Sequence, residues 1–225
     1  MPQASIENNQ VRITGDEHRH LLVARAEVNE IIEIFDGKGK VWTASVDSVG
    51  KRETAASVRE SRQAPRDSGE LILAQAMIRT GAFELALEKA VEIGVTRIIP
   101  FTATRSNIAT ANRRDRWLRI VIEAAKQSKR YYLPTLDPPM TFSQVLSIPA
   151  ASKIMFAERA GGPLKSALTG SPVLYLIGPE GGWTDAELTE AREQGFRTVS
   201  LGATILKAET AAIVGGALIR YALGQ

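Results

Sequence analysis

Two glycine-containing segments near the carboxyl terminus are the part of the sequence best suited to holding a ligand. The first, LYLIGPEGGWTDAE (residues 174–187), places Gly178, Gly181 and Gly182 directly after an apolar run. Glycines let a backbone approach a ligand closely and leave its N–H and C=O groups to bind it. Such a loop suits a flat ligand with several hydrogen-bonding edges. A turn that only requires positive φ angles would use the same residues.

The second segment, VSLGATILKAET (residues 199–210), repeats this arrangement. It puts Gly202 after an apolar run and then enters a helix predicted over 208–223. Thr184 and Glu187 form a capping-box pattern, so a helix is also expected to begin after the first segment. Two such loops on one sheet can face each other across one ligand. Neither has the spacing of a Walker phosphate loop or a dinucleotide fingerprint, which argues against nucleoside triphosphates and nicotinamide cofactors.

A basic run between residues 105 and 130 is the second feature with a chemical meaning. It holds eight basic residues and two acidic ones, a balance of 8 − 2 = +6, whereas the whole chain carries +3. A concentrated cationic face beside Tyr131 and Tyr132 suits an RNA backbone with bases that can stack. The alternative is a solvated helix face with pairs at i,i+4. Only two carboxylates within the run are available for such pairs.

Composition excludes several classes of protein. The chain of 225 residues contains no cysteine, which excludes disulfides, a cysteine nucleophile and thiolate-bound metals. His18 and His20 have no acidic cluster fitted around them, so no metal site is predicted. There is no apolar run of eighteen residues and no secretory signal in the first ten residues. We therefore expect a cytoplasmic protein that does not bind a membrane.

The elements that must position these residues fall into two groups. Residues 11–60 read as short β runs, with DGKGK (36–40) as a tight turn between two of them. The polar segment RQAPRDSG (62–69) contains proline and glycine and marks a boundary. It separates a predicted β-rich domain over 1–66 from a second domain over 70–225.

Beyond this boundary, apolar runs alternate with amphipathic stretches. The predicted strands are Leu71–Met77, Thr96–Phe101, Lys153–Ala157, Val173–Ile177 and Thr198–Leu201. Apolar residues recur at helical spacing over 83–91 and 117–125. The alternation predicts an α/β domain whose mostly parallel sheet is covered on both faces. Ligands bind beyond the carboxyl ends of strands in such sheets, which is where both glycine segments begin.

With these motifs in this order, the sequence resembles the RsmE family, the 16S ribosomal RNA uridine N3-methyltransferases of the SPOUT class. Besides the two glycine segments, the resemblance rests on HLLVARAEVNEIIEIFDGKG (20–39), AFELALEKAVEIGV (82–95), PFTATRSN (100–107), EAAKQSKR (123–130) and FAERAGGPL (156–164). It implies a SPOUT-type domain tied in a trefoil knot and a small N-terminal PUA-like β-barrel that binds RNA. It also implies a homodimer. Physical rules alone would not suggest the knot, because true knots are essentially absent from folds.

The resemblance also implies a cofactor and a substrate. The methyl donor would be S-adenosylmethionine, enclosed by Ile177, Gly178, Gly181, Gly182, Leu201, Gly202, Ile205 and Leu206. The substrate would be 16S ribosomal RNA, free or in the small ribosomal subunit. The expected RNA contacts are Arg25, Arg113, Arg114, Arg116, Lys126, Lys129 and Arg130.

Methylation of uridine N3 requires removal of an imide proton and stabilisation of the resulting anion. The candidate catalytic cations are Arg105, Lys126 and Lys207, and the candidate carboxylates are Glu180 and Glu209. Either glutamate could instead only order its loop, because a carboxylate such as Glu209 is favourable at a helix start. Two other functions stay open: methylation of another atom such as a ribose 2′-hydroxyl, and a non-catalytic RNA-binding or assembly role.

The predicted last helix carries an unusual surface of small residues, namely Ala211, Ala212, Gly215, Gly216 and Ala217. A glycine inside a helix costs about 1 kcal/mol relative to alanine, so a close backbone contact is expected to compensate. The contact could be a second copy of the chain in the homodimer or the sheet of the same chain.

Overall fold

The computed structural model describes residues 4–106, 113–158 and 161–224. They form two compact units, divided between Arg66 and Asp67. This division lies within the polar segment over 62–69. The first unit is built on an antiparallel sheet and the second on a parallel sheet with helices on both faces.

Between residues 4 and 66, the first unit contains five strands and one helix. They are β1 (Ala4–Glu7), β2 (Gln10–Thr14), α1 (Gly15–Val23), β3 (Ile31–Phe35), β4 (Lys40–Val49) and β5 (Glu53–Gln63). The strands pair antiparallel in the order β1-β2-β5-β4-β3, which confirms the predicted β-rich module. Sequence reasoning missed β1 and α1. The buried residue of α1 is His18, so the helix shows no apolar periodicity that would reveal it.

The predicted turn between β3 and β4 is confirmed. The Asp36 carboxylate accepts the backbone N–H groups of Lys38 at 2.7 Å and Lys40 at 3.0 Å. Gly37 and Gly39 have φ angles of 75° and 93°, which glycine adopts without steric strain.

In the part of the chain that the structure describes, the second unit is built on a seven-stranded parallel sheet. Its strands are β6 (Leu71–Ala76), β7 (Arg97–Thr102), β8 (Thr135–Leu136), β9 (Met140–Thr141), β10 (Ser152–Phe156), β11 (Val173–Ile177) and β12 (Arg197–Val199). The order is β12-β10-β11-β6-β7-β8, and β9 also pairs with β7. All these pairs are parallel, which confirms the predicted α/β domain. The two-residue strands β8 and β9 are too short to give a sequence pattern.

Among the described residues of this unit, six helices cover the sheet. They are α2 (Thr80–Ile93), α3 (Arg114–Gln127), α4 (Phe142–Leu146), α5 (Leu164–Ala167), α6 (Asp185–Glu193) and α7 (Ala208–Ala222). Helices α4 and α6 contribute to a core with alternate residues of β6, β7 and β11. Helix α7 packs on the opposite face with α2. Because both faces are covered, every residue of β6 and β11 is buried.

The small-residue surface of α7 contacts the sheet of the same chain. A Cβ atom at Gly215 would lie 2.6 Å from Phe156 Cε2, and one at Gly216 would lie 2.7 Å from Tyr175 Oη. These close approaches account for both glycines. The small residues therefore give no independent support for a homodimer, which stays a prediction from the family resemblance.

Candidate cofactor and substrate site

The two glycine segments meet around one cavity at the carboxyl edge of the sheet. One segment follows β11, the other follows β12, and β10 lies between these strands. The connection after β10 therefore leads to the strand on one side of it, and the connection after β11 leads to the strand on its other side. Such a reversal in the order of strands is where open α/β sheets bind ligands. The cavity here has a volume of about 670 Å³.

The cavity brings together the residues that were predicted to bind the donor and the catalytic candidates except Lys126, which lies on α3. They are Ile177, Gly178, Gly181, Gly182, Leu201, Gly202, Ile205 and Leu206 for the donor, and Arg105, Glu180, Lys207 and Glu209 for catalysis. Arg79, Phe156 and Trp183 also line it and were not predicted. The shared location is observed, whereas the individual roles stay predictions.

Trp183 forms part of the cavity wall, and Gly178 makes room for it. A Cβ atom at Gly178 would lie 2.8 Å from Trp183 Cε2. The indole N–H donates to the Phe156 carbonyl oxygen at 2.8 Å, and the indole stacks on Phe101 with an interplanar angle of 9°. The glycine therefore allows the end of β10 and the loop after β11 to be joined through one aromatic side chain.

Two arginines from neighbouring strand ends hold the first glycine segment. Arg79, which follows β6, donates from Nε to Glu180 Oε1 at 2.7 Å. Arg105, which follows β7, donates to the Gly181 carbonyl oxygen at 2.7 Å. The hydrogen bond and charge of Glu180 raise the pKa of Arg79 above its usual value. Because the Arg79 side chain is 74% exposed, this pair orients the loop more than it stabilises the fold.

Glu187 connects the first glycine segment to the turn that contains Arg105. Its side chain is buried and completes the capping box of α6 with Thr184, as predicted. One carboxylate oxygen also accepts the backbone N–H of Thr104 at 2.8 Å. Burial opposes ionisation of this carboxyl, but hydrogen bonds from Thr184 and Thr104 outweigh it and lower the pKa below its usual value. Glu187 is therefore an ionised buried carboxylate.

Several cations of the basic run are paired with groups outside the run. Arg116 donates two hydrogen bonds to the Glu84 carboxylate, at 2.5 and 2.7 Å. Arg130 lies 2.9 Å from the Asp67 carboxylate. The balance of +6 within the run therefore leaves out carboxylates that neutralise part of it, because these come from α2 and from the start of the second unit.

The remaining predicted RNA contacts differ in their surroundings. Lys126 pairs with Glu123 at 2.7 Å, and Arg114 donates to the Leu136 carbonyl oxygen at 2.8 Å. The other three, Arg25 in the first unit and Arg113 and Lys129 in the second, are exposed. No observation of the structure tests RNA binding by any of these residues, so their assignment stays a prediction.

A second groove of similar volume lies between α2 and α3. Charged side chains of both signs line it, including Lys89, which pairs with Glu88 and Glu92 at 2.8 Å. It contains no glycine loop and no strand end. We therefore place the site at the carboxyl edge of the sheet.

The structure gives no sign of a metal site among the described residues. His18 is buried, with Nδ1 2.9 Å from Thr54 Oγ1, so it packs within the first unit. Within residues 4–106, 113–158 and 161–224, no group of three potential ligands could hold a metal ion. No helix in these ranges is long and apolar enough to cross a membrane.

Comparison with known proteins decides the family. The RNA methyltransferase domain family matches residues 65–220, and the RNA methyltransferase PUA domain family matches residues 13–56. Ribosomal RNA small subunit methyltransferase E of Rickettsia conorii is 31% identical over 95% of this chain and 91% of its own length. The chain belongs to the ribosomal RNA small subunit methyltransferase E family. The resemblance found in the sequence motifs is thus confirmed, and the protein is an RNA methyltransferase.

A further relative and two solved structures extend this similarity. The Synechocystis relative is 32% identical over 99% of this chain and 76% of its own. The crystal structure of the Neisseria gonorrhoeae enzyme bound to S-adenosylmethionine superposes with a TM-score of 0.88, at 30% identity over 98% of this chain and 93% of that chain. A Legionella pneumophila methyltransferase with bound S-adenosylmethionine has a TM-score of 0.90, at 28% identity over 97% and 94%.

Proposed function

We propose that this RNA methyltransferase transfers a methyl group from S-adenosylmethionine to N3 of a uridine in 16S ribosomal RNA. The observation that carries the proposal is the shared cavity of the two glycine segments, at the switch point of the parallel sheet. The name of the relatives supports the ribosomal substrate. The donor bound in two similar structures supports the cofactor.

The residues around the cavity fit such a donor. A Cβ atom at Gly182 or Gly202 would meet no protein atom within 4 Å, so both glycines leave space beside their backbones. Ile205 lies on the cavity and is 70% exposed, which suits contact with the apolar part of a nucleoside. When bound, the donor supplies an electrophilic methyl group on a sulfonium, and the chain supplies orientation and electrostatics.

The charged residues of the cavity would handle the uridine proton. A guanidinium has five N–H donors, so Arg105 can bind Gly181 and still donate to a uridine carbonyl oxygen. The Lys207 ammonium precedes α7 and adds a second positive charge. Of the two carboxylates, Glu180 is held by Arg79, whereas Glu209 lies in the first turn of α7 and makes no such ion pair among the described residues. We assign proton acceptance to Glu209.

Mass spectrometry of 16S ribosomal RNA from a deletion strain tests the proposal. We expect loss of one N3-methyluridine, with recovery when the unsubstituted gene is returned. Loss of a ribose methyl group instead would support the alternative of 2′-hydroxyl methylation. Calorimetry with S-adenosylmethionine addresses the non-catalytic alternative, because a chain that binds no donor cannot perform this reaction.

The finer architecture is part of the same proposal. We infer a trefoil knot in the second unit, a PUA-like barrel that binds RNA in the first, and a homodimer that acts in the cytoplasm. The family resemblance and the match to the PUA domain family support these features. For the dimer, the outer face of α7 offers Leu218 and Tyr221, which are 42% and 82% exposed. Sedimentation of the Tyr221→Asp variant should show a shift toward monomer.

A further inference from the structure

Glu187 joins two loops of the cavity through its two carboxylate oxygens. Its side chain is only 5% exposed. One oxygen accepts the Thr184 N–H at 2.8 Å and the Thr184 hydroxyl at 2.9 Å, which completes the cap of α6. The other oxygen accepts the Thr104 N–H, from a turn that follows a different strand. The carboxylate therefore binds backbone groups 80 positions apart in the chain.

A second capping box in the same unit shows that a carboxylate is not required for the cap. At the start of α4, Thr141 accepts the N–H of Gln144, and the Gln144 side-chain oxygen accepts the Thr141 N–H at 2.8 Å. An amide therefore suffices for the reciprocal cap. At position 187 a glutamine could accept one of the two N–H groups, but its NH₂ group would face the other donor. The charge at Glu187 is thus accounted for by the bond to Thr104.

The Thr104 bond lies in the turn that contains Arg105. The turn is closed by Ser106, whose hydroxyl accepts the Ala103 N–H at 2.9 Å and whose own N–H donates to the Ala103 carbonyl at 3.1 Å. Arg105 leaves this turn and donates to the Gly181 carbonyl oxygen. A Cβ atom at Gly181 would lie 3.1 Å from Arg105 Cβ, so the two residues are in close contact. The Thr104 N–H, one residue before Arg105, and the Arg105 side chain are therefore both attached to the segment that runs from Gly181 to Glu187.

We propose that Glu187 is a positioning residue for the methyl transfer and that it acts by holding Arg105 in the cavity. The inference rests on the proposed function, because Arg105 is assigned there to the uridine carbonyl. It predicts that the negative charge at position 187 matters for the rate of methylation, although Glu187 itself touches neither donor nor RNA.

The test compares Glu187→Gln with a matched exchange in the other capping box, Gln144→Glu. Glu187→Gln should lower kcat by about 10- to 100-fold, since small displacements of a positioned group have effects of this size. Its Kd for S-adenosylmethionine should change little. Gln144→Glu should keep the kcat of the unsubstituted enzyme. A third variant, Thr184→Val, weakens the cap but leaves both carboxylate oxygens available, and it should also keep kcat.

Two further measurements separate positioning from a structural role. In the donor-free protein, hydrogen exchange at the Thr104 amide should become faster in Glu187→Gln. In an Arg105→Ala background, Glu187→Gln should lower kcat by less than about twofold, because residues that act through each other are not additive. Equal losses in both backgrounds would overturn the inference, as would a normal kcat in Glu187→Gln or an equal loss in Thr184→Val.

Failure of the proposed function would look different. The unsubstituted protein would then form no N3-methyluridine on any ribosomal substrate. Amide exchange at Thr104 in the donor-free protein would still decide whether Glu187 holds the turn. Unchanged exchange in Glu187→Gln would overturn the positioning role whatever the reaction.

Discussion

Glu180 and Glu209 line the same cavity but have different partners. Glu180 accepts a 2.7 Å hydrogen bond from Arg79, which fixes its orientation toward the β6 end. In the part of the chain that the structure describes, no hydrogen bond to the Glu209 carboxylate is found. Its charge nevertheless contributes to the raised pKa of Arg79. The two residues are of the same type, but Glu180 is exposed and Glu209 is half-buried, and their partners differ.

We predict that Glu209→Gln lowers the single-turnover rate of methylation by about 100-fold or more, the usual range for loss of a general base. Glu180→Gln should have a smaller effect, because it leaves Arg79 unpaired in a position that water can reach. Rates are to be measured at saturating donor and RNA. If Glu180→Gln is the slower variant, the role of proton acceptor moves to Glu180.

Gly178 is predicted to be indispensable for donor binding because of Trp183. In Gly178→Ala the new methyl group would collide with the indole, which would have to leave its bond to Phe156. Overpacking of about 1–3 kcal/mol corresponds to roughly a 5- to 150-fold weaker Kd for S-adenosylmethionine, measurable by calorimetry. Gly162→Ala is the control, since its Cβ would lie 3.9 Å from Ser166 Oγ. Unchanged affinity in Gly178→Ala would show that the indole is not part of the donor site.

At the scale of elements, α7 packs closely on the sheet because Gly215 and Gly216 have no side chains. We predict that Gly215→Ala lowers the free energy of unfolding by about 1–3 kcal/mol, because its methyl group would meet the Phe156 ring at 2.6 Å. Gly81→Ala in α2 is the matched helical control. Its Cβ would meet no atom within 4 Å, so it should stabilise by about 0.5–1 kcal/mol. Urea unfolding that gives the same sign for both variants would contradict this packing.

Glu187 in α6 should make the free energy of unfolding depend on pH. The pKa of Glu187 lies below its ordinary value of 4.5, so its contribution is present above that value and is lost as pH falls through the folded-state pKa. At pH 7, Glu187→Gln should be less stable by about 1–3 kcal/mol, because one buried N–H loses its acceptor. The difference should narrow below pH 4.5 in urea unfolding measured from pH 7 to 3. Glu193→Gln, at an exposed position of the same helix, should show no such narrowing.

At the scale of the whole molecule, the chain separates donor binding from the rest. Every residue that lines the cavity comes from the second unit, between Arg79 and Ala211. We therefore expect the second unit to hold the donor, and the RNA-binding role proposed for the first unit stays a prediction.

We predict that a fragment of residues 67–225 folds and binds S-adenosylmethionine with nearly the affinity of the full chain, but binds ribosomal RNA more weakly. Circular dichroism and calorimetry check the first two statements, and filter binding at fixed salt checks the third. The same fragment with Gly178→Ala should lose affinity for the donor, as the full chain does. A folded fragment that binds RNA as tightly as the full chain would contradict an RNA-binding role for the first unit.

The sequence by itself determined the parts of this protein that depend on neighbouring residues. Apolar runs predicted the main strands, and the glycines after β11 and β12 marked the cavity, because a strand end and its loop are contiguous in the chain. The Asp36 turn and the Thr184 cap were equally local.

Only the tertiary structure decided which distant groups meet. Arg79 lies 101 positions from Glu180, and Glu187 lies 83 positions from Thr104, so no local pattern reports either contact. The carboxylate partner of Arg116 comes from another helix, so a count of charges within the basic run could not include it. The contacts of Glu180 and Glu187 form when the parallel sheet brings its strand ends to one edge. That arrangement is a property of the folded chain.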